Sequence, residues 1–502
     1  MKNSLMGALV CSLALLGCGP MTPGADGGTG GGAATGGGAA TGGGAATGGG
    51  AATGGGSATG GGGGGAPGNI VQVASGNPDF SILVAAVQKA GLVDTLSNTQ
   101  DLTVFAPTNA AFTQLLTALG VTNGLDGLTA EQLGPILKYH VLATRVAGSA
   151  ATTAAQSNGT VTALGGKIKL SFTNSKIRLD GRANVVTADV PASNGIIHAI
   201  DGVILPSIAD IATTTTTLSS LTAALTLADT ATPSPNLVTT LDDDMGTFTV
   251  FAPTDAAFTG LVTALRGTDN GASSGITALT SFRPDQVLPV LRYHVLTSKV
   301  LAAAVPATGN VTSLGGSLAV TRTGAAVTVD GASVTTADLL ASNGVVHVVN
   351  TVLLPSITDV VVSDARFSSL AGAVTAADGA ANTTPKVAAA LNGTGPFTLF
   401  APTNAAFTAL GTAPTGQNLT NVLLYHAVPG PAVTAAAALA LTSPLVAPTA
   451  LANKSVTVSA EGTPVGVKVA DSTTTKASVV ITNLFTANGI IHAVDKVLIP
   501  AP

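Results

Sequence analysis

The sequence predicts a mixed α+β chain built as three tandem copies of one unit behind a glycine-rich tether. Three recurring motifs carry this reading. An octapeptide appears as FAPTNAAF at Phe105–Phe112, FAPTDAAF at Phe251–Phe258 and FAPTNAAF at Phe400–Phe407, at spacings of 146 and 149 residues. A Tyr-His pair follows each copy: Tyr139-His140, Tyr293-His294 and Tyr425-His426. Each unit then closes on a third motif: SNGIIHAIDGVILP from Ser193, SNGVVHVVNTVLLP from Ser342 and ANGIIHAVDKVLIP from Ala487. Together the motifs hold all six histidines and all three tyrosines of a 502-residue chain, which chance does not produce.

The elements follow in order. Lys2 precedes a short apolar stretch, Leu5–Leu16, too short for the roughly 20 residues of a membrane-spanning helix. It runs into Leu15-Leu16-Gly17-Cys18, which resembles the lipobox of bacterial lipoproteins. The resemblance implies removal of residues 1–17 as a signal peptide, lipidation of Cys18 and export to the cell envelope. Gly19 after the cysteine points to the outer membrane or cell surface. Residues 19–68 hold 26 of the 62 glycines, with a GGGAAT unit repeating from Gly30 to Thr59. Such a segment has almost no large apolar side chain to offset its chain entropy, so 18–68 reads as a disordered, flexible tether. Its mean reach is roughly 35–42 Å.

Three units fill the rest, with expected bounds 69–206, 207–355 and 356–502. Each opens on a helical apolar pattern: Asn77–Leu96, Thr217–Asp229 and Phe367–Asp378. In the first octapeptide, strand-like Leu102–Phe105 meets Pro107, which has no N–H for a central ladder. Thr108 or Asn109 can cap the helix that follows, whose Phe112, Leu115, Leu116 and Leu119 share a face. Thr129 with Gln132 forms a capping-box pattern before a helix presenting Leu133, Ile136, Leu137 and His140. Val161–Leu164 and Lys167–Phe172 read as a hairpin turning at Gly165-Gly166, repeated around Gly315-Gly316. Asn194-Gly195 reads as a turn favouring positive φ, before a nearly continuous apolar strand, Ile196–Leu205.

Composition excludes several classes. A net charge of −5 with 9% charged residues argues against a nucleic-acid binder. Two cysteines, one of them in the leader, exclude a disulfide scaffold and a cysteine-rich zinc module. Each unit offers two histidines 53 to 66 residues apart, which is not metal-ligand spacing. Asp242-Asp243-Asp244-Met245-Gly246 lacks the ligand order of a calcium loop. No GxSxG elbow, P-loop or repeated carboxylate pair suggests an enzyme, and no cofactor is expected. No apolar tail follows the last unit, which argues against a GPI-type anchor.

In this order, FAPTNxAF, Tyr-His and NGxxHxxDxVLxP resemble the marks of the fasciclin-domain family, three times over residues 69–502. The resemblance implies compact domains with β-sandwich-like sheets and packed helices, and extracellular adhesion without an enzymatic reaction. In animal relatives the Tyr-His pair with its flanking aliphatics is linked to integrin binding. It maps to Tyr139 and His140, Tyr293 and His294, and Tyr425 and His426. A second proposed site, an aspartate before an aliphatic residue, maps to Asp189-Val190 and Asp338-Leu339, while the third unit has Asn483-Leu484. The closing residues Asn194, Gly195 and His198, Asn343, Gly344 and His347, and Asn488, Gly489 and His492 are expected to be structural. The expected function is that of a cell-surface adhesion lipoprotein facing an extracellular protein or polysaccharide, touching membrane only through its lipid. The alternative is a passive spacer of the envelope.

Overall fold

The computed structural model describes residues 67–232, 234–267, 278–381 and 383–502. The leader, Cys18 and the tether up to residue 66 lie outside the described residues. The described residues cluster as one unit.

The first domain begins with three short helices, α1 (Ile70–Ser75), α2 (Ser81–Lys89) and α3 (Val93–Asn98). Strand β1 (Leu102–Pro107) leads to α4 (Asn109–Ala118) and α5 (Ala130–Tyr139). A two-residue strand, β2 (Val141–Leu142), precedes α6 (Gly148–Gln156). Then come β3 (Thr160–Ala163), β4 (Gly166–Thr173), β5 (Lys176–Leu179), β6 (Ala183–Ala192) and β7 (Gly195–Ile200). They form one seven-stranded sheet in the order β2-β1-β7-β6-β5-β4-β3. Only β1 and β7 run parallel; every other pair is antiparallel. The sheet curls until its edges meet, where Leu164 N–H donates to Val141 O at 2.7 Å. The other domains repeat this closure at Leu314 to Val295 and Ala450 to Val428's neighbour Ala427. The α+β expectation therefore holds, with each sheet wrapped into a barrel-like form.

The parallel strands β1 and β7 separate two apolar layers. Val104, Ala106, Ile197 and Ala199 face the helices, packing with Leu83, Phe112, Leu133 and Leu137. Phe105 and Ile200 face the barrel interior with Tyr139, Ile168, Leu170 and Leu179. This period-two alternation is why the motif strands look apolar throughout: both faces are buried. Thr108 caps α4 by accepting from Ala111 N–H, and Thr129 with Gln132 makes the expected capping box.

Three local expectations shift. The first hairpin turns at Leu164-Gly165, because Ala163 pairs with Gly166. Gly165 is needed for another reason: a Cβ there would lie 2.5 Å from the Tyr139 backbone nitrogen. The Asn194-Gly195 pair is likewise displaced, since Gly195 already pairs with Ala192 and Leu102 as the first residue of β7. Its small size lets β7 approach β1, where a Cβ would lie 2.2 Å from the Leu102 carbonyl oxygen. Finally, β7 ends at Ile200 rather than Leu205, as Asp201 turns to accept from Asn184 N–H at 2.7 Å.

Candidate functional site

The Tyr-His motif lies inside each domain. Tyr139, Tyr293 and Tyr425 are each 3% exposed, and the histidines after them 1–2%. His140 closes α5: Nδ1 lies 2.7 Å from Ile136 O, and Nε2 accepts from Ile204 N–H at 3.2 Å. The carbonyl requires a proton on Nδ1 and the amide requires a bare Nε2, so the ring is the neutral Nδ1–H tautomer. His294 joins Val290 O to Leu353 N–H, and His426 joins Val422 O to Leu498 N–H, in the same way. Burial lowers the pKa of all three to about 4. Tyr139's hydroxyl lies 2.8 Å from Lys167 O and 2.9 Å from Asp180 Oδ2. Burial, then the nearby aspartates, push that phenol well above its ordinary range.

The closing histidines are bound with the opposite tautomer. His198 Nε2 lies 2.8 Å from Val146 O, and Nδ1 accepts from Asp189 N–H at 3.1 Å. His347 and His492 repeat this with Val300 O and Asp338 N–H, and with Val433 O and Asn483 N–H. Asp338 Oδ1 lies 3.9 Å from His347 Nδ1, yet that nitrogen already accepts a backbone proton. Burial lowers the pKa of His347, so the contact is not an ion pair. All six histidines thus have both ring nitrogens engaged by backbone. Among the described residues no group of three or more His, Cys, Asp or Glu is placed to hold a metal.

Asn194 staples three segments. Its Oδ1 accepts from Ile70 N–H at 2.9 Å, and its Nδ2 donates to Leu96 O and Thr99 O. Asn343 and Asn488 hold Ile208 and Ile357 equivalently. Two repeated brackets escaped the sequence reading. Thr103 Oγ1 donates to Thr144 O while accepting from Val146 N–H. Asn109 clips α4 to the start of α2, accepting from Ile82 N–H and donating to Pro78 O. Asp255 and Asn404 make the same kind of clip, so the alternation of Asn and Asp in the octapeptide was its visible sign.

The second candidate position behaves differently. Asp189, Asp338 and Asn483 occupy a bulge in β6 and its equivalents, Ala332–Ala341 and Ala477–Thr486, at φ of 61°, 58° and 58°. Asparagine and aspartate tolerate this left-handed backbone. Each side chain also accepts a backbone N–H, from Gly148, Ala302 and Ala435 respectively. Their exposure differs because a neighbouring domain covers two of the three. Gln132, three residues into α5, donates to Ala337 O at 3.1 Å. Gln286, at the same place in Pro284–Tyr293, donates to Thr482 O and Asn483 O. Around these contacts Lys169 pairs with Asp244 at 2.8 Å, Arg283 donates to Thr482 O, and Phe282 meets Phe485 edge-on at 5.9 Å. Asp244 of the acidic run therefore serves a joint between domains. Asp189 is exposed, Asp338 keeps 24% of its side-chain exposure, and Asn483 is 6% exposed.

The sequence model of the Fasciclin domain matches three times, over residues 78–206, 219–355 and 365–500. The chain belongs to the fasciclin-domain family. Human periostin is 26% identical over 444 residues, covering 84% of this chain and 46% of periostin. Pig transforming growth factor-beta-induced protein ig-h3 is 39% identical over 146 residues, covering 28% of this chain and 19% of that protein. Protein sll1483 of Synechocystis is 44% identical over 138 residues, 27% of this chain and 73% of its own. The chain thus spans less than half of either animal relative. A solved fasciclin domain pair from the insect cell adhesion molecule Fasciclin I aligns at 15% identity and TM-score 0.28, over 57% of this chain and 99% of that one. Fasciclin domains are linked to cell adhesion. Among the described residues no helix is long and apolar enough to cross a membrane.

Proposed function

We propose that this chain is an adhesion lipoprotein, anchored through Cys18, whose tether displays three fasciclin domains toward matrix, cells or polysaccharide. The observation that carries the reading is the unequal exposure of the bulged strands. Asp189 in the first domain is open to solvent, while its counterparts lie against the preceding domain. The first domain therefore offers the candidate surface, and the buried Tyr-His pairs support it from within. The occupied ring nitrogens of all six histidines favour binding over hydrolytic chemistry.

The test is attachment of the source cells. Asp189→Asn keeps a side chain that the third domain already uses at this bulge, so the fold should persist. Attachment should fall with Asp189→Asn and with removal of the first domain. Unchanged attachment in both would remove the support for adhesion. For the anchor, a palmitate analogue should label the wild type and not Cys18→Ser. Equal labelling would overturn lipidation. The tight joints favour a second reading, a passive spacer; it requires that shortening the array alters the phenotype while exchanging its surfaces does not.

A further inference from the structure

The joints between domains are heterologous: one kind of surface docks on a different one, and the same pairing is used twice. The donor is the start of the Tyr-His helix, with glutamine seven residues before the tyrosine. The acceptor is the carbonyl edge of the bulge, ten residues before the closing histidine. Three domains joined this way consume two donors and two acceptors. One of each is left, at opposite ends of the array, and such surfaces continue from copy to copy unless something blocks them.

Both leftover halves are open among the described residues. On the first domain Ala188, Asp189 and Pro191 are exposed and Val190 is half-buried. The corresponding Leu339 and Leu340 are 4% and 3% exposed, and Leu484 and Phe485 1% and 7%. On the third domain, Asn418 stands where Gln132 and Gln286 stand, and it is exposed at the start of Gly416–Tyr425.

We propose that the open bulge of the first domain binds the Asn418 end of the third domain of a second copy, so that chains associate head to tail. For its role at a cell surface this rests on the adhesion reading; the contact itself does not. Two differences from the internal joints set its strength. Asn418 is one methylene shorter than glutamine. Prolines stand at both apolar positions, Pro191 in place of Leu340 and Phe485, and Pro414 in place of Leu128 and Phe282. The contact thus keeps the polar geometry and lacks the apolar anchor. It forms reversibly where copies are crowded.

Sedimentation of the exported chain carrying Cys18→Ser, over roughly 10–500 µM, tests this without a lipid contribution. A rising weight-average mass is expected. Ala188→Glu, at an exposed site, should abolish it while leaving the melting temperature unchanged. Asn418→Gln with Pro191→Leu should tighten association by about tenfold or more, by restoring the amide's reach and one of the two apolar positions. A chain that stays monomeric throughout, in both wild type and the restored variant, overturns the proposal. So does self-association that Ala188→Glu leaves intact. Because the measurement uses purified protein, a failed attachment assay and a failed association are separate results.

Discussion

At the scale of residues, the histidines act as neutral cross-links rather than reagents. His140, His294, His426 and His492 have pKa values lowered to about 4 by burial, against an ordinary 6.5. Between those values the unfolded chain binds more protons, so stability falls as pH drops. Their contribution is complete above about pH 6.5 and is lost toward pH 4. Asp180 opposes them: burial raises it to about 6, so the folded chain takes its proton first and gains as pH falls through 6. His347 is lowered in the same direction as the other histidines, while burial also raises Asp210 and Asp330. Five histidines outweigh three carboxylates, so the melting temperature should decline from pH 6.5 to 4.5, as measured by circular dichroism. His140→Ala leaves a buried carbonyl and a buried N–H unpaired and opens a cavity. A loss of roughly 3–4 kcal/mol in denaturant titration is expected.

At the scale of elements, the closing motif ties the helices to the sheet. Asn194→Ala strands the Ile70 amide and two carbonyls, at a cost of about 2–4 kcal/mol, readable as a lower urea midpoint. Gly195→Ala should do more damage, because its Cβ would press on the Leu102 carbonyl and push β7 away from β1. Loss of hydrogen-exchange protection in β1 and β7 would report it. Much of this level was legible in the sequence. The Thr129–Gln132 capping box and the apolar face of α5 appear where periodicity puts them. The turn positions were less legible, because Gly165 and Gly195 answer to backbones distant in sequence. Local turn rules do not see such neighbours.

At the scale of the whole molecule, the joints couple the domains. The second domain's helical core continues into Phe485 and Ile490 of the third. Calorimetry should therefore show these two domains melting together. Phe282→Ala with Gln286→Ala removes the edge-on aromatic contact and the carbonyl clamp, and should separate the transitions. Gln132 looked like an ordinary capping-box partner in the sequence, and Gln286 repeats its place at the second joint. Each also reaches across a joint, and only the assembled chain brings carbonyl acceptors to its Nε2.

The sequence by itself determined the number of domains, their order and the closing Asn-Gly-His motif that cross-links each one. Those choices are local or repeat three times, so composition and spacing expose them. Tertiary structure alone decided which copies of a motif face solvent. The family resemblance marks Tyr139 and His140 as candidate binding residues, yet the barrel and helix layer enclose them. Asp189 and Asp338 look alike as well. Domain packing sets them apart, because exposure depends on what the neighbouring chain covers, and no motif encodes that within itself.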